Sequence, residues 1–415
     1  MAQARTEATL ASTAGGGASG VWGISDATGT YTYYDTIALA QAAATAGDTI
    51  ELFANVTETS VTWNLLNNVS YNLNGHTYTL DESATGINTV DPSAVSGETH
   101  IRNGRIVRRG NPTSGGNITY LTIYGSFTGK LFLHDTVIEN DANSCSRVSA
   151  GKIFGGIYYC TWNSGTTTGF GAINGSGGPF YYNAIILSIT ALGIRGFGGY
   201  FYDCLVYTSG QTAVQISNSI VELHRCQVIT DGGVGIDQTA SDSKIIDCTV
   251  DSSTSEAIVA GGRCEGTTAY SASDYAIRSS GSGGRIRNCH ARSDASYAIY
   301  VNSGSAEVNG SYAVSRGASA GFIGNLKTHD CYFQSAYNNV NGHAVVAFSG
   351  GAPEIFGCTL RVQNTGAYAI SSILNPQNVK YGNNTIAGNP TVPINPNVVQ
   401  AQVTNEDNFG NIVID

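Results

Sequence analysis

The sequence predicts an all-β fold, a parallel β-solenoid in which each coil takes about 22 residues. A small residue followed by an apolar one recurs at near-constant intervals from Ala172-Ile173 to Ala369-Ile370. Several cysteines, such as Cys204 and Cys226, lie nine residues before the next small residue. The composition, with 52 Gly, 8 Pro and 12% charged residues, is typical of short strands and tight turns. Each repeat is too short for a strand–helix–strand crossover, so the coils must stack directly on one another.

The residues around each cysteine predict a sharp corner in the coil. Cys248 and Val250 can both face the interior from one straight strand, but Ile245 and Cys248 are an odd number of residues apart and cannot. The chain must therefore bend at Ile246-Asp247. The residue before the cysteine position is usually Asn, Asp or Gly, the types that tolerate a left-handed backbone. These corner residues are Asp203, Arg225, Asp247, Asn288, Asp330, Gly357 and Asn383.

The cysteines are predicted to form an interior ladder rather than a reactive or metal-binding set. A nucleophile or a metal site would need a neighbouring base or a paired cysteine spacing, and the sequence contains neither. The predicted ladder consists of Cys204, Cys226, Cys248, Cys289, Cys331 and Cys358. We therefore predict no metal site and no cofactor.

The chain is predicted to have three parts. Residues 1–32, rich in Ala, Gly and Ser, are expected to form a flexible arm, residues 33–388 the solenoid, and residues 389–415 an extended tail. Ile37, Leu39 and Ala40 recur at helical spacing and predict a short helix that caps the first coil. Three prolines, Pro390, Pro393 and Pro396, are expected to stop the strand ladder.

A family resemblance appears after the predicted helix. The segment GDTIEL follows it, and NVSYNLNGHTYTL begins at Asn68. Together with the repeated corner motif apolar-x-Asn/Asp-Cys-x-apolar, these segments resemble the right-handed parallel β-helix superfamily of pectate lyases and phage tailspikes. The resemblance covers most of residues 35–388 and implies a right-handed coil, but it specifies a fold better than a reaction. The calcium-binding Asp cluster and the basic catalytic residue of pectate lyases cannot be matched residue by residue, so none is carried over.

Charge and hydropathy narrow the range of partners. A net charge of −10 and a pI near 5.1 argue against nucleic-acid binding. The arginines at 102, 105, 108 and 109 predict either a solvated turn or a local anion site. No membrane insertion is predicted, because the apolar stretch at residues 181–202 contains Arg195 and several Gly. Nine cysteines without a paired framework, and no readable secretion signal, favour folding in a reducing cytoplasm.

Carboxylates are the main candidates for catalysis. Hydrolysis of a polysaccharide needs two carboxyl groups about 5 Å apart for retention or about 6.5–9.5 Å apart for inversion. Asp203 and Asp247 lie two coils apart with Arg225 between them, an order that favours a surface charge ladder. The other candidate pairs are Asp231 with Asp237, Asp251 with Glu256, and Glu139 with Asp141. The sequence leaves enzymatic activity undecided and leans against it.

The 23 tyrosines suggest a different kind of site. Tyr158, Tyr181 and Tyr200 belong to clusters whose rings can stack on sugar rings if they face outward. The alternative is that these rings fill the wider early coils and a subunit interface.

These features lead to one main functional hypothesis and two alternatives. The main hypothesis is a phage virion protein of tailspike or tail-fibre type, made and folded in the host cytoplasm, that recognises a bacterial surface polysaccharide during adsorption. It is expected to be a homotrimer that attaches to other virion proteins through its N-terminal arm. The hypothesis depends on the resemblance, the cytoplasmic folding signals and the short arm. The first alternative is a capsid decoration protein without glycan activity, and the second is a polysaccharide lyase or glycoside hydrolase.

Overall fold

The chain forms a long parallel stack of β-coils in the computed structural model, which confirms the predicted all-β solenoid. Each coil contributes three strands, which we call its first, second and third strands. Within the described residues, the first and second strands belong to a 31-stranded sheet and the third strands form a 14-stranded sheet. The described residues are 20–26, 28–59, 62–81, 89–109, 122–141, 145–160, 171–176, 178–188, 192–216, 220–279, 284–301, 306–323, 327–337, 339, 341–347, 353–372, 377–388, 394–395, 398–400 and 412–414.

The secondary-structure elements follow the coils in order. The N-terminal elements are β1 (Trp22–Ser25), β2 (Tyr31–Tyr34) and α1 (Ile37–Ala43). The first strands are β3 (Thr49–Leu52), β6 (Ser70–Asn72), β15 (Phe180–Tyr182), β18 (Gly199–Tyr202), β21 (Val221–His224), β24 (Lys244–Ile246), β27 (Arg263–Glu265), β30 (Arg285–Arg287), β33 (Glu307–Asn309), β36 (Lys327–His329), β39 (Glu354–Phe356), β42 (Gln377–Gly382) and β44 (Val398–Gln400). The second strands are β4 (Val56–Thr59), β7 (Thr77–Asp81), β16 (Ile185–Ser188), β19 (Leu205–Thr208), β22 (Gln227–Thr230), β25 (Thr249–Ser252), β28 (Thr268–Ser271), β31 (His290–Ser293), β34 (Tyr312–Ser315), β37 (Tyr332–Ser335), β40 (Thr359–Val362), β43 (Thr385–Gly388) and β45 (Ile412–Ile414). In three coils the first and second strands are continuous, as β9 (Glu98–Arg108), β11 (Lys130–Asn140) and β13 (Lys152–Cys160). The third strands are β5 (Thr62–Asn64), β8 (Thr89–Asp91), β10 (Ile123–Gly125), β12 (Ser146–Val148), β14 (Gly171–Ser176), β17 (Leu192–Phe197), β20 (Val214–Ile216), β23 (Ile236–Gln238), β26 (Ile258–Ala260), β29 (Ile277–Ser279), β32 (Ile299–Val301), β35 (Gly321–Ile323), β38 (Val345–Ala347) and β41 (Ile370–Ser372).

The core is a set of ladders made by in-register pairing. Ile245, for example, pairs with Leu223 in the preceding coil and with Cys264 in the following one, and all three side chains are fully buried. Each apolar ladder buries side chains that would otherwise contact water, at roughly 25 cal/mol per Å² of apolar surface. Within the described ranges, no helix is long or apolar enough to span a membrane.

The corners lie where the sequence predicts them. β24 ends at Ile246, Asp247 has a φ of 52°, and β25 begins at Thr249, so the predicted bend at Ile246-Asp247 is confirmed. All seven predicted corner residues have φ between 51° and 63°, including Arg225 at 51°. A left-handed backbone costs roughly 1–2 kcal/mol for residues other than Gly, so the stacking on either side of each corner must outweigh this strain.

The N-terminal end is closed by α1 together with β1 and β2. Thr36 caps α1 by accepting a hydrogen bond from the Leu39 N–H, and Ile37 is buried against the first coil. β1 pairs antiparallel with β2 and with β3, and Trp22 is fully buried. Residues 1–19 and residue 27 lie outside the described residues, but residues 20–26 and 28–32 of the predicted arm are folded, because their antiparallel hairpin covers the exposed edge of the first coil. The folded part therefore begins well before residue 33.

The C-terminal end also differs from the prediction. β44 pairs in parallel with β42, and β45 pairs in parallel with β43, so the strand ladder continues beyond residue 389. Ile394 belongs to the same extra coil and forms a parallel bridge with Ile370 of the preceding coil. The three prolines that were expected to stop the ladder, Pro390, Pro393 and Pro396, lie outside the described residues.

Candidate functional site

The middle residues of the third strands form an outward-facing row along the solenoid. In β20, Val214 and Ile216 are buried and Gln215 between them is half-buried, as the alternation of a strand requires. Parallel pairing places the middle residues of successive coils about 4.8 Å apart. This set, which we call the third-strand row, contains Tyr124, Arg147, Arg195, Gln215, Asp237, Val259, Arg278 and Tyr300.

Acidic residues and tyrosines gather around one part of this row. They come from β23, β29 and β32 and from the residues just before β26, β29 and β32, so four successive coils contribute. We call this surface the acid–tyrosine patch. Its members are Asp237, Glu256, Asp274, Tyr275, Arg278, Tyr297 and Tyr300.

An ion pair lies at the centre of the patch. The Nε atom of Arg278 is 3.0 Å from Oε1 of Glu256, and the Glu256 side chain is only 13% exposed. The Ser255 hydroxyl donates to Oε2 of the same carboxylate at 3.0 Å. Glu256 is therefore held in one orientation as a charged group.

The two aspartates of the patch are in a less favourable environment. Burial raises the pKa of Asp237, Arg278 opposes this increase, and the Glu256 charge adds to it. The Asp237 side chain forms no hydrogen bond or ion pair with any other described residue, and Arg278 and Glu256 act on it only through their charges. Burial and the Glu256 charge also raise the pKa of Asp274, although its Oδ1 accepts the Tyr275 N–H at 2.9 Å. Carboxyl groups with raised pKa values beside an ionised carboxylate are typical of functional sites.

Three tyrosine rings form one side of the patch. The rings of Tyr275 and Tyr300 stack with a centroid distance of 4.4 Å and an interplanar angle of 12°. Tyr297 lies 5.8 Å from Tyr300 and 6.1 Å from Tyr275. Burial raises the pKa of Tyr275 and Tyr297, so their hydroxyl groups remain protonated donors at neutral pH. Carboxylates that accept hydrogen bonds and rings that offer apolar faces together suit a ligand rich in hydroxyl groups.

The structure separates the carboxylates into different pairs from those the sequence predicted. The predicted pairs were Asp231 with Asp237 and Asp251 with Glu256. In the structure the charge of Glu256 acts on Asp237, whereas the charge of Asp231, together with burial, raises the pKa of Asp251. Asp231 also accepts the Tyr207 hydroxyl at 2.7 Å. Each predicted pair joins a residue of a second strand or its end to one at a third strand: Asp231 follows β22 and Asp237 lies in β23, whereas Asp251 lies in β25 and Glu256 precedes β26.

Asp203 and Asp247 lie at the corners, away from the patch. Both oxygens of Asp203 are 2.8 Å from the guanidinium of Arg225, whose hydrogen bond lowers the pKa of Asp203. This geometry matches a surface charge ladder and not a general acid, whose pKa must be raised. Asp247 is exposed at the next corner.

The arginines at residues 102–109 do not form one anion site. Arg105 forms an ion pair with Glu139. Glu139, which the sequence analysis paired with Asp141, therefore has a cation as a partner. Arg108 is fully buried, whereas Arg102 and Arg109 are exposed. Along β9, Arg102 and Arg105 are both exposed, whereas Ile106, Val107 and Arg108 are all buried, so Arg108 is separated from the other arginines.

The three tyrosines proposed for glycan binding do not form an open platform. Tyr158 and Tyr181 are fully buried, and the Tyr181 hydroxyl lies 2.9 Å from the Ser146 hydroxyl inside the coil. Tyr200 is half-buried, and the ring of Phe180 covers one of its faces at a centroid distance of 4.5 Å. The positions that we predicted to bind glycan by ring stacking are therefore corrected: two are core residues and the third is part of an aromatic stack.

Sequence reasoning missed a continuous aromatic stack on the first-strand face. Neighbouring centroids are 4.7–5.1 Å apart, and the rings lie within 18° of parallel. The stack runs through His100, Phe132, Phe154, Tyr182, Tyr202 and His224. Because each ring covers its neighbour, the stack presents ring edges to the solvent and leaves no inner ring face free for a sugar. The recurrence of an aromatic residue at the same place in six successive coils, from β9 to β21, was the signal in the sequence.

The cysteine ladder has a structural role at the corners. The Sγ atoms of Cys204, Cys248 and Cys358 each lie 3.3 Å from the carbonyl oxygen two residues earlier. Thr267 and Ser311 occupy the same position in other coils, and their hydroxyls make the equivalent bond at 3.0 and 3.1 Å. The side chain at this position therefore ties down the corner, and either a thiol or a hydroxyl can do so.

The environment of these thiols is unsuited to nucleophilic chemistry. Hydrogen bonding with Cys226 and burial raise the pKa of Cys204 and of Cys248. Cys226 accepts from both neighbours, which lowers its pKa, but it is only 1% exposed and out of reach of a substrate. All nine cysteines are free and buried, including the predicted ladder residues Cys289 and Cys331. In the part of the chain that the structure describes, no three His, Cys, Asp or Glu residues are arranged to hold a metal ion.

Comparisons with known proteins add little to this description. No protein-family model matches the sequence, and no curated protein matches it. Among solved structures, the chain is similar to the A-module of a mannuronan C-5 epimerase from Azotobacter vinelandii, with 12% sequence identity and a TM-score of 0.27. The alignment covers 91% of this chain and 93% of that one. At this TM-score the likeness supports no conclusion about function, so the solenoid is established by its own strand pairing.

Proposed function

We propose that the protein is a virion appendage of tailspike or tail-fibre type and that it binds a bacterial surface polysaccharide at the acid–tyrosine patch. The observation that carries this proposal is the presence of half-buried Asp237 and Asp274 beside a triad of tyrosines on a rigid face. Burying a carboxylate without a partner costs free energy, and such a cost is common where a site is shaped for a ligand. The corner motifs that resemble phage tailspikes agree with this function.

The geometry suits a polymer rather than a small molecule. The third-strand row repeats every ~4.8 Å along the solenoid, so a chain of sugar rings can follow it and meet a new side chain at each coil. Sugar hydroxyls would donate to Asp237 and Asp274, and a sugar ring would pack beside Tyr297 and Tyr300. The stacked strands hold these groups in place, so little conformational entropy is lost on binding.

The proposal extends to the assembly. A homotrimer with parallel solenoids would present three equivalent patches to a cell surface and gain avidity from them. Residues at the start of the chain would attach it to other virion proteins. Folding in the host cytoplasm is consistent with nine free, buried thiols.

Binding is tested with the full chain and a panel of purified bacterial surface polysaccharides, by calorimetry. Tyr300→Ala removes a ring of the patch and is expected to weaken binding about tenfold, equivalent to ~1.4 kcal/mol. The matched control is Tyr312→Ala, because Tyr312 is also stacked, on Tyr332 at 4.6 Å, but lies on a second strand. Equal affinities of the two variants, or no binding to any polysaccharide, would refute the assignment.

The location of the protein in intact particles separates the appendage from the capsid alternative. Antibody labelling of virions under the electron microscope should mark the tail. Label distributed over the capsid shell would favour a decoration protein without glycan activity.

A second candidate function, polysaccharide hydrolysis, is favoured by one specific observation. Asp237 has a raised pKa and lies beside the ionised Glu256, and a general acid needs such an environment. Asp237 would protonate the glycosidic oxygen as its bond to carbon breaks, while a neighbouring carboxylate would take a proton from the attacking water. Hydrolysis predicts that the wild type releases oligosaccharides and that Asp237→Asn binds the polymer without cleaving it. Intact polymer after long incubation with the wild type would exclude this function.

A further inference from the structure

A second polar site lies on the same face, four coils before Asp237 in the third-strand row. It is a cleft of about 290 Å³. The coil spacing places it about 19 Å from Asp237 along the solenoid. Its lining residues are Ser93, Tyr124, Gly125, Ser126, Arg147 and Ser149.

The guanidinium of Arg147 forms no ion pair or hydrogen bond with any other residue that the structure describes, although the protein carries a net charge of −10. Several other arginines have carboxylate partners. Arg278 pairs with Glu256 in the same row, and Arg225 and Arg287 pair with Asp203 and Glu307. An arginine without a carboxylate partner, set in a cleft of an acidic protein, can take its counter-charge from a ligand.

The groups around Arg147 are hydrogen-bond donors. The side-chain hydroxyls of Tyr124, Ser126 and Ser149 form no hydrogen bond with the described part of the chain, so each is available to a ligand. The nearby carboxylate of Asp91 is already engaged, because its Oδ1 accepts both the N–H and the hydroxyl of Ser93. Among the lining residues, the cleft therefore offers hydroxyl groups and one cation. Asp91 beside it keeps its charge, but Ser93 fixes the orientation of its carboxylate.

The backbone keeps the cleft open. Gly125 has a φ of 155°, and a Cβ atom added there would lie 2.9 Å from the Ser93 hydroxyl and 3.2 Å from Cδ of Pro92. Any side chain at this position would be strained and would also meet the Asp91 carboxylate, whose Oδ1 would lie 2.7 Å from the added Cβ. Tyr124 and Arg147 are register partners in β10 and β12, so the two side chains are neighbours on the rigid sheet.

We propose that this cleft binds an oxyanion, a carboxylate, sulfate or phosphate group, through the guanidinium of Arg147 and the surrounding hydroxyls. The planar guanidinium can donate two parallel hydrogen bonds to such a group. The oxyanion can be a free ion or a substituent of a polymer lying along the third-strand row. Only the second source rests on the proposed function.

The first experiment measures anion binding directly by calorimetry on the full chain, with sodium sulfate, inorganic phosphate and sodium glucuronate as probes and glucose as the uncharged control. The expected result is saturable binding of at least one anion, no binding of glucose, and at least a tenfold loss of affinity in Arg147→Gln. The matched control is Arg285→Gln, which removes the same charge from an exposed position on the first-strand face. An equal loss in both variants would show a general charge effect and would overturn the proposal, as would the absence of anion binding by the wild type.

A second experiment identifies the source of the oxyanion. A polysaccharide that carries carboxyl groups is compared with the same polymer after chemical reduction of those groups to alcohols. Weaker binding of the reduced polymer, with the difference abolished by Arg147→Gln, supports a substituent of the glycan. If the protein binds small anions through Arg147 but binds no polymer, the oxyanion site is supported and the proposed glycan function is refuted. Failure of the oxyanion site can therefore be told apart from failure of the glycan function.

Discussion

Cys248 provides a direct test of the structural role of the cysteine ladder. Its thiol is 1% exposed and donates to the Ile246 carbonyl at 3.3 Å. Thr267 occupies the same position in the next coil and makes the equivalent hydroxyl bond at 3.0 Å. We therefore expect Cys248→Ser to preserve the corner, whereas Cys248→Ala loses the donor.

The size of the effect follows from the contacts. In Cys248→Ala the Ile246 carbonyl keeps the N–H of Arg225 at 3.0 Å, so only one of its two hydrogen bonds is lost. That bond contributes about 0.5–1.5 kcal/mol, and the space left by one buried sulfur atom adds about 1 kcal/mol. The free energy of unfolding should fall by roughly 1.5–2.5 kcal/mol in Cys248→Ala and by less than about 1 kcal/mol in Cys248→Ser.

Urea unfolding followed by circular dichroism measures the difference. A solenoid need not unfold in one step, so the midpoints of the first transition are compared among variants under identical conditions. The reasoning is refuted if serine destabilises the protein as much as alanine does. It is also refuted if either variant stays folded but loses polysaccharide binding, because that outcome would point to a functional thiol.

Three further predictions concern a corner and two buried titratable groups. Asp247→Val places a β-branched residue at a φ of 52° and should lower the free energy of unfolding by about 1–2 kcal/mol, whereas Asp247→Gly should not lower it. Equal urea midpoints of the two variants would contradict the corner assignment. Burial lowers the pKa of His343 to about 4, so between pH 6.5 and pH 4 the unfolded chain gains a proton that the folded chain does not, and stability falls. His343→Gln should flatten that part of the profile of melting temperature against pH, and an unchanged slope would exclude His343 as its cause. Burial raises the pKa of Asp237, so its charged form destabilises the folded chain above that pKa. Asp237→Asn should therefore raise the melting temperature at pH 7. The gain should vanish below about pH 4, where Asp237 is protonated in both the folded and the unfolded chain. A loss of stability at pH 7 would show that the carboxylate supports the fold.

The solenoid could be predicted because every coil repeats the same physical problem. Each corner needs a left-handed residue, and each interior position needs a side chain that fits between its copies in the neighbouring coils. Arg225 shows the limit of residue preference: it adopts a φ of 51° although Arg does not favour this region, because the coils on either side define the corner. The repeat therefore predicts a backbone conformation even where the residue type does not.

A ladder of buried hydroxyls at the end of the second strands was not predicted. Ser293 donates to the Asp274 carbonyl in the preceding coil at 2.7 Å and accepts the Ser296 N–H at 2.9 Å. Ser315 repeats this with Ser296 at 2.6 Å and with Ala318 at 3.0 Å. The signal was present as a Ser or Thr at the end of most second strands. It was overlooked because inward positions are expected to be apolar. Here the hydroxyls form hydrogen bonds with backbone N–H and C=O groups of the turns, which would otherwise be buried without partners.

The ends of the chain and the candidate site were harder to predict for a different reason. The hairpin that buries Trp22 is antiparallel and occurs once, so it leaves no trace in the repeat. The acid–tyrosine patch depends on which side of a coil each residue faces, and the connections between second and third strands vary in length. Glu256 and Asp251 are close in sequence, yet Asp251 lies on a second strand and Glu256 just before a third strand. Sequence spacing alone could not assign them to different surfaces.

The chain itself contains a control for the importance of Asp237. In-register pairing places Gln215 and Val259 directly before and after it in the third-strand row, and Val259 is only 2% exposed. The same strand position thus accepts an amide or an apolar side chain, and the fold does not require a carboxylate there. Asp237 instead carries a charge whose burial raises its pKa and lowers stability at neutral pH. A residue that the fold does not need, and whose buried charge opposes folding, is what the proposed ligand site predicts.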